Sequence, residues 1–402
     1  VPASCWMDKF FAVLPVRLNL DGLNDLMILQ DGATSPSVVM SAPSAVFFVN
    51  TTNDTFTCVA NGEGECSLRG AIIEANANPG NDIVGFALPL GTVISPTSPL
   101  PSINSTVSIQ SGNIGNGPRG IEISGVNAGP SVDGLKIRAS NVFIYSVAVS
   151  GFQSTIVGGG QVGGNGIVIA SDSGAPNIGS NNLWDCYLGT DATGNIDRGN
   201  DATGVLIFDS DNNGIVGSLI SGNGSETKVG YGIGVTAGNS NSFTRNIIGL
   251  NAAGTAKLSN TTGVLLTGEN NSFGTDFAGE GNTISGNTRP TNFAPCFGYG
   301  IDVRVLADAT TLELLTFQNS IKGNRIGTNP SGTVGFGNCW QGIQTPPLVA
   351  TTIGSITDEG RNTVSDNGLG GIACGDPNLA ADSSEGGYCV IVGNNIGIDQ
   401  SP

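Results

Sequence analysis

Asp185 and Asp209 stand 24 residues apart, with Asp191 and Asp211 close by. Two carboxylates facing one sugar bond are what glycoside hydrolysis needs. In a chain wound in coils of that length, residues one coil apart stack on one face. Asp185 and Asp209 are therefore the candidate catalytic pair of a polysaccharide hydrolase, or the acidic part of a calcium-assisted lyase. The plainer reading makes them turn aspartates, which suit tight turns. Basic partners are scarce, with 15 Lys and Arg against 32 Asp and Glu. The chain has no histidine, which removes Ser-His-Asp and Cys-His catalysis and imidazole metal ligands. The expectation is a protein without an assembled catalytic group.

Other reactive residues read structurally. Cys58 and Cys66 close a short polar loop and are candidates for one disulfide. Cys374 and Cys389 bracket a Gly- and Asp-rich loop and are candidates for another. Such pairing suits an oxidising, extracellular compartment. N-x-S/T sequons at Asn50, Asn53, Asn104, Asn223, Asn260 and Asn270 are glycosylation candidates. Trp6, Trp184 and Trp340 are able to stack on sugar rings, but packing at corners is the expectation. Gly158-Gly-Gly-Gln-Val-Gly163 matches a dinucleotide-loop pattern without the strand and helix that pattern requires, so it reads as a turn.

What would position these residues is a repeat. Leu188-Gly-Thr-Asp-Ala-Thr-Gly194 returns at Ile248–Gly254 and Ile326–Gly332 and begins again at Ile396. A second phrase, Leu219-Ile-Ser-Gly-Asn223, recurs at Thr283–Asn287 and Thr363–Asn367. A fixed order of short phrases at long period signals a solenoid. The Ile-Gly phrases lie 60, 78 and 70 residues apart, predicting two or three coils per unit. Aligned on them, Leu183, Phe243, Ile321 and Ile391 hold one core position, and Leu188, Ile248, Ile326 and Ile396 another. Between them sit Cys186, Asn246, Asn324 and Asn394, a corner where left-handed backbone and stacked amides are expected. Cys186 and Cys389 interrupt asparagine columns, as though recruited for disulfides. The predicted fold is all-β, a right-handed parallel β-helix over residues 83–402.

Sixty-two glycines and 12% charged residues fit short strands and tight turns, and 39% hydrophobic residues exclude a disordered chain. A net charge of −17 argues against nucleic acid and anionic membranes, and no apolar run is long enough to span a bilayer. Residues 1–48 predict a β-hairpin appendage. Residues 49–82 predict a cysteine loop and one capping helix, with Ser67 as N-cap and Leu68, Ala71, Ile72 and Ala75 on its buried face.

Cys66-Ser-Leu-Arg-Gly-Ala-Ile72, with Glu74-Ala-Asn-Ala-Asn-Pro-Gly80 and Ser98-Pro-Leu-Pro101, resembles the CSLREA-domain secreted proteins of bacteria. The resemblance covers about residues 46–402. It implies a pectate-lyase-like right-handed β-helix and secretion or surface display, with no established activity. Gly70 departs from it, standing where the family has Glu or Gln, which removes half of a capping box. Asn19-Leu-Asp21-Gly-Leu-Asn-Asp25 is similar to the calcium loop of FG-GAP (VCBS-type) repeats. That likeness makes Asn19, Asp21 and Asp25 calcium candidates, with Arg17 where the first acidic residue is usual.

The sequence stops at Ile398-Asp-Gln-Ser-Pro402, within a repeat phrase and with no cap following. Solenoid ends need polar caps. The functional expectation is a secreted, non-enzymatic structural protein: a subunit of an extracellular filament assembled head-to-tail with itself, the 1–48 hairpin donating a strand, or an adhesive rod with surface glycans as partners. The alternatives are a β-helix polysaccharide lyase or hydrolase, and a carbohydrate-binding module.

Overall fold

The structure is a computed structural model that describes the chain outside residues 1–9, 19–23, 31, 40–42, 61–63, 113–118, 172–176, 226, 289–297, 305–317, 347–350, 376–388 and 398–402. Three long parallel sheets form three faces of a β-helix. The first has eleven strands, from Val46–Val49 through Phe143–Tyr145, Asn182–Trp184 and Ser242–Thr244 to Cys389–Val392. The second has ten, from Thr92–Ile94 through Tyr187–Leu188 and Arg325–Ile326 to Asn395–Ile396. The third has eight, from Leu135–Ile137 to Gly370–Cys374.

The core is a set of aliphatic columns, one residue per coil. On the first face Ile144, Leu183, Ile215, Phe243, Phe273, Ile321 and Ile353 stack, each fully buried. On the second face Leu188, Ile220, Ile248, Ile284, Ile326 and Val364 do the same. The expected core residues Ile391 and Ile396, on the last described strands, are instead half exposed.

This register shows what the two phrases are. Leu188, Ile248 and Ile326 alternate with Ile220, Ile284 and Val364 in one column, so both phrases occupy the same site on successive coils. The structural unit is two coils. The Ile-Gly coils carry a small hairpin closed by the bridges Thr190–Asp197, Leu250–Lys257 and Thr328–Gly335. Gly189 has φ +94° and no room for a Cβ against the Ser221 carbonyl, which explains the fixed glycine after the core residue.

Each corner is held by a ladder of buried side-chain amides. Between the first and second faces, Asn246 Nδ2 donates to Asn282 Oδ1 at 2.9 Å, Asn282 to Asn324 at 2.9 Å, Asn324 to Asn362 at 3.0 Å and Asn362 to Asn394 at 2.8 Å. A second ladder runs Asn200, Asn223, Asn260, Asn287, Asn338, Asn367 between the second and third faces. A third links Asn213, Asn241, Asn271 and Asn319 before the first face. Most of these Oδ1 atoms also accept a backbone N–H of the preceding coil, as Asn324 does from Asn282 N at 2.9 Å. The left-handed backbone expected at these asparagines falls one residue earlier, at Asp185 and Arg245 in the first of these corners.

The capping helix spans Leu68–Ala77, with Ser67 Oγ accepting from Gly70 N at 2.9 Å, and lies against the strands Val46–Val49 and Asp82–Phe86. The missing capping-box carboxylate has a replacement: the Thr57 carbonyl accepts the Ser67 N–H at 3.0 Å. Gly70 leaves space for that carbonyl, which a Cβ would strike. Arg69 fastens the helix through Asp54, with Nε to Oδ1 at 2.8 Å and Nη2 to Oδ2 at 2.9 Å. Burial raises the Asp54 pKa, but the Arg69 guanidinium and the Thr97 amide and hydroxyl outweigh it and hold the carboxyl below its ordinary range. A carboxylate lowered on folding stabilises above the unfolded pKa and loses that contribution as pH falls through the folded one. Acidification from about pH 5 to below 3 is therefore expected to release this helix first. Hydrogen exchange at Ala71–Ala75 measured across that range checks it, and Asp54→Asn should remove the pH dependence.

The N-terminal segment is a three-stranded antiparallel sheet, Phe10–Val16, Asp25–Gln30 and Ser37–Val39, rather than a lone hairpin. Val46–Val49 already belongs to the β-helix, so the solenoid begins ahead of the expected boundary at 83, and its first strand crosses the one at 48. No helix among the described residues is long and apolar enough to cross a membrane.

Candidate functional site

The expected pair Asp185 and Asp209 does not come together. Trp184 pairs with Val216, so one coil beyond Asp185 lies Gly217. Asp209 follows the third-face strand Val205–Phe208, at another corner. Coil lengths here vary from 23 to 51 residues, as the amide-ladder separations show, so a 24-residue spacing does not by itself stack two residues. Asp191 is consumed by its own hairpin, accepting from Thr193 Oγ1 and the Asn195 and Ile196 amides, and Asp211 accepts from Asn239 N at 2.7 Å.

Asp185 instead lies in a groove along the corner between the first and second faces. This groove, of about 670 Å³, is lined by Phe143, Tyr145, Trp184, Tyr187, Arg119 and Arg245 among others. Strand alternation sets it up: Ile144 and Leu183 point inward, so Phe143, Tyr145 and Trp184 point out. The Phe143 and Tyr145 rings are nearly parallel at 6.0 Å between centroids, and Trp184 meets Phe143 edge-on at 5.4 Å. Trp184 is 44% exposed, contrary to the expected packed corner. Trp340 does pack, edge-on to Tyr299 at 5.0 Å, and Trp6 lies outside the described residues. On the second face Tyr187 is covered by the Arg119 guanidinium 4.2 Å above its ring, and Arg119 Nη2 donates to its hydroxyl at 3.1 Å.

Asp185 and Arg245 occupy a corner column whose backbone is left-handed on several coils. Other coils place Ser146, Gly217, Gly323 and Gly393 there, at φ +58°, +62°, +69° and +60°. Asp185 and Arg245 hold φ +52° and +59°. Side chains in that region cost roughly 1–2 kcal/mol each, and such cost gathers at functional sites. Arg245→Gly is thus expected to stabilise the fold by about 0.5–1 kcal/mol, relief of the corner exceeding the added freedom of the unfolded chain. A denaturant midpoint that falls instead would remove the argument from strain.

Burial first, and the Asp185 charge second, push the Tyr145 hydroxyl above its ordinary pKa. Behind the groove Cys186 is a free, buried thiol rather than half of a disulfide. Burial pushes its pKa up to about 12, so it is no nucleophile at neutral pH. The arrangement offers aromatic faces, cations and a single carboxylate. Among the groove's described lining Asp185 is the only acid, whereas hydrolysis of a sugar bond needs two.

The remaining expected sites are placed as follows. Cys58 is bonded to Cys66 and Cys374 to Cys389. Asn50, Asn53, Asn104 and Asn270 are exposed. Asn223 and Asn260 are corrected: both are wholly buried ladder members whose Nδ2 groups donate along the ladder, leaving no site for a glycan in the folded chain. Of the calcium candidates, Asn19 and Asp21 lie outside the described residues, and the Asp25 carboxylate is buried and accepts the Leu18 N–H at 2.6 Å. Among the described residues no cluster of three or more acidic or cysteine side chains is spaced to hold a metal. Gly158 and Gly159 form the two-residue turn of a β-hairpin, Ser154–Val157 with Gly160–Gly163.

Sequence reasoning missed Tyr145, Tyr187, Arg119 and Arg245. A usable signal existed for Arg245, because an arginine stands directly before Asn246 where Gly281, Gly323 and Gly393 precede Asn282, Asn324 and Asn394.

No protein-family model matches the chain, and no curated protein matches it. Among solved structures it is similar to ORF18 of Geobacillus virus E2, at 12% identity and a TM-score of 0.35. That match covers 92% of this chain and spans 66% of the other.

Proposed function

We propose that this protein is a secreted, non-enzymatic β-helical rod of the CSLREA type that holds a carbohydrate chain in the groove beside Trp184. The supporting observation is the outward aromatic group Phe143, Tyr145 and Trp184, with Trp184 44% exposed and Asp185 and Arg245 at the adjoining corner. Exposed aromatic faces stack on sugar rings, and adjacent carboxylate and guanidinium groups take up hydroxyls. The disulfide bonds Cys58–Cys66 and Cys374–Cys389 support an extracellular setting. Head-to-tail filament assembly is a separate proposal; Ile398–Pro402, on which it drew, lie outside the described residues.

Trp184→Ala is expected to weaken glycan binding at least tenfold, about the worth of one stacked ring, while leaving the unfolding midpoint within about 0.5 kcal/mol of the parent. Affinity electrophoresis on immobilised polysaccharides reads the first, and denaturant titration the second. Release of reducing ends or unsaturated products by the unmodified protein would replace this proposal with an enzymatic one. Retention of binding by Trp184→Ala would move the site elsewhere.

A further inference from the structure

The groove continues past Arg245. A second segment of about 490 Å³ opens on its far side, lined by Arg325, Arg361, Thr283 and the acidic pair Asp358 and Glu359. Arg245 lines both segments. The register places it two coils beyond Asp185 and two coils short of Arg325. Arg325 also shares one outward column of the second face with Tyr187, Leu219, Ile247 and Thr283. From Tyr145 to the coil of Arg361 is six steps, or about 29 Å at the usual strand spacing.

The charge along this line is unlike the rest of the molecule. Arg119, Arg245, Arg325 and Arg361 line the two segments, four of the chain's ten arginines. Only Asp185, Asp358 and Glu359 oppose them there, in a chain with a net charge of −17. Among the described residues the exposed Arg245 guanidinium has no hydrogen bond or ion pair. Among the described residues the Arg325 guanidinium donates only to the Thr363 hydroxyl, at 2.8 Å. An exposed guanidinium with no protein partner among the described residues is available to a ligand.

Resting on the carbohydrate reading above, we infer that the ligand is an extended anionic polysaccharide lying parallel to the rod axis. Its rings rest on Tyr145 and Trp184, and its acidic groups meet Arg245 and then Arg325. The shared chemistry is a repeating anion on a sugar backbone, carried by uronate carboxylates or by sulfate esters. Nucleic acid and acidic polypeptide lack the succession of apolar sugar faces that the aromatic half fits.

Calorimetric titration of the whole chain tests this with four probes: a deca-galacturonate, a heparin decasaccharide, a neutral cello-oligosaccharide and a poly-glutamate peptide. One or both acidic decasaccharides should bind at least tenfold more tightly than the neutral chain, and added salt should narrow the gap. Which of the two leads identifies carboxylate or sulfate as the source. Arg245→Gln and Arg325→Gln should each remove about tenfold from the acidic ligand and little from the neutral one. Arg245→Lys should restore part of the loss. A tri-galacturonate, too short to reach both segments, should be indifferent to Arg325→Gln. Circular dichroism and melting of each variant show that the fold persists. If neutral and acidic chains bind equally and Trp184→Ala abolishes both, the inference of charge falls while the carbohydrate reading stands. If poly-glutamate binds as well as the acidic sugars, the inference falls as well. If no glycan binds the unmodified protein, both fall.

Discussion

Replacing Asn324 by leucine is expected to remove about 3–5 kcal/mol of folding stability. Asn324 is fully buried at the middle of its ladder. Its Oδ1 accepts both the backbone N–H and the Nδ2 of Asn282, each at 2.9 Å. Its Nδ2 donates to the Phe273 carbonyl at 2.8 Å, the Lys322 carbonyl at 3.0 Å and Asn362 Oδ1 at 3.0 Å. Leucine fills nearly the same space and makes none of these bonds. Two donors of Asn282 lose their acceptor in a buried site, each worth roughly 1–3 kcal/mol. Asn324→Asp keeps the acceptor, loses the donors and sets a carboxylate among carbonyls, so it should be as damaging at neutral pH and milder in acid. Long repeat arrays depart from two-state unfolding. Hydrogen exchange at Asn282 N–H therefore reads the effect more directly than a global midpoint. Protection unchanged in Asn324→Leu would show that the ladder is decoration.

Phe273→Ala should cost a similar amount, about 3–5 kcal/mol, for a different reason. Phe243 and Phe273 stack within the first-face column at 4.3 Å between centroids, 12° from parallel, each fully buried. Alanine leaves a void that neighbouring coils cannot close, because Ile321 below is fixed by strand register. Phe273→Leu should cost under about 1.5 kcal/mol, since the column elsewhere is aliphatic. A double-mutant cycle with Phe243→Leu isolates the ring contact, and equal losses for Ala and Leu at 273 would contradict the cavity account.

The fold was legible because solenoid sequence writes each contact locally. The apolar position of Leu183 and Leu188 recurs in every coil, so the columns followed from alignment alone. The phase did not. Two phrases with different polar residues, Gly-Thr-Asp and Ser-Gly-Asn, look like different places in a coil, and only the pairing of Leu188 with Ile220 shows them as one. Loops of unequal length hide the coil period, which is why Asp209 was placed under Asp185. The groove was less legible still. Its aromatic members come from separate coils, Tyr145 and Trp184, 39 residues apart in sequence and adjacent in register. Arg119 lies on another coil again and reaches Tyr187 across 68 residues. Nothing in a local window joins them. Gly70 shows the opposite failure, where a local rule predicted a weak helix start and a distant carbonyl supplied the missing acceptor.

The amide ladders have a mechanical consequence. Through the middle of the rod, neighbouring coils are clasped at three corners and along three faces, while contacts beyond nearest neighbours are few, as in other solenoids. Tension applied along the axis therefore meets one clasp at a time. Each coil should peel away as its three amides let go together, giving a series of small rupture steps rather than one large one. A tether built this way dissipates a pull gradually, and the coils still wound remain in register to take back the chain when the force relaxes.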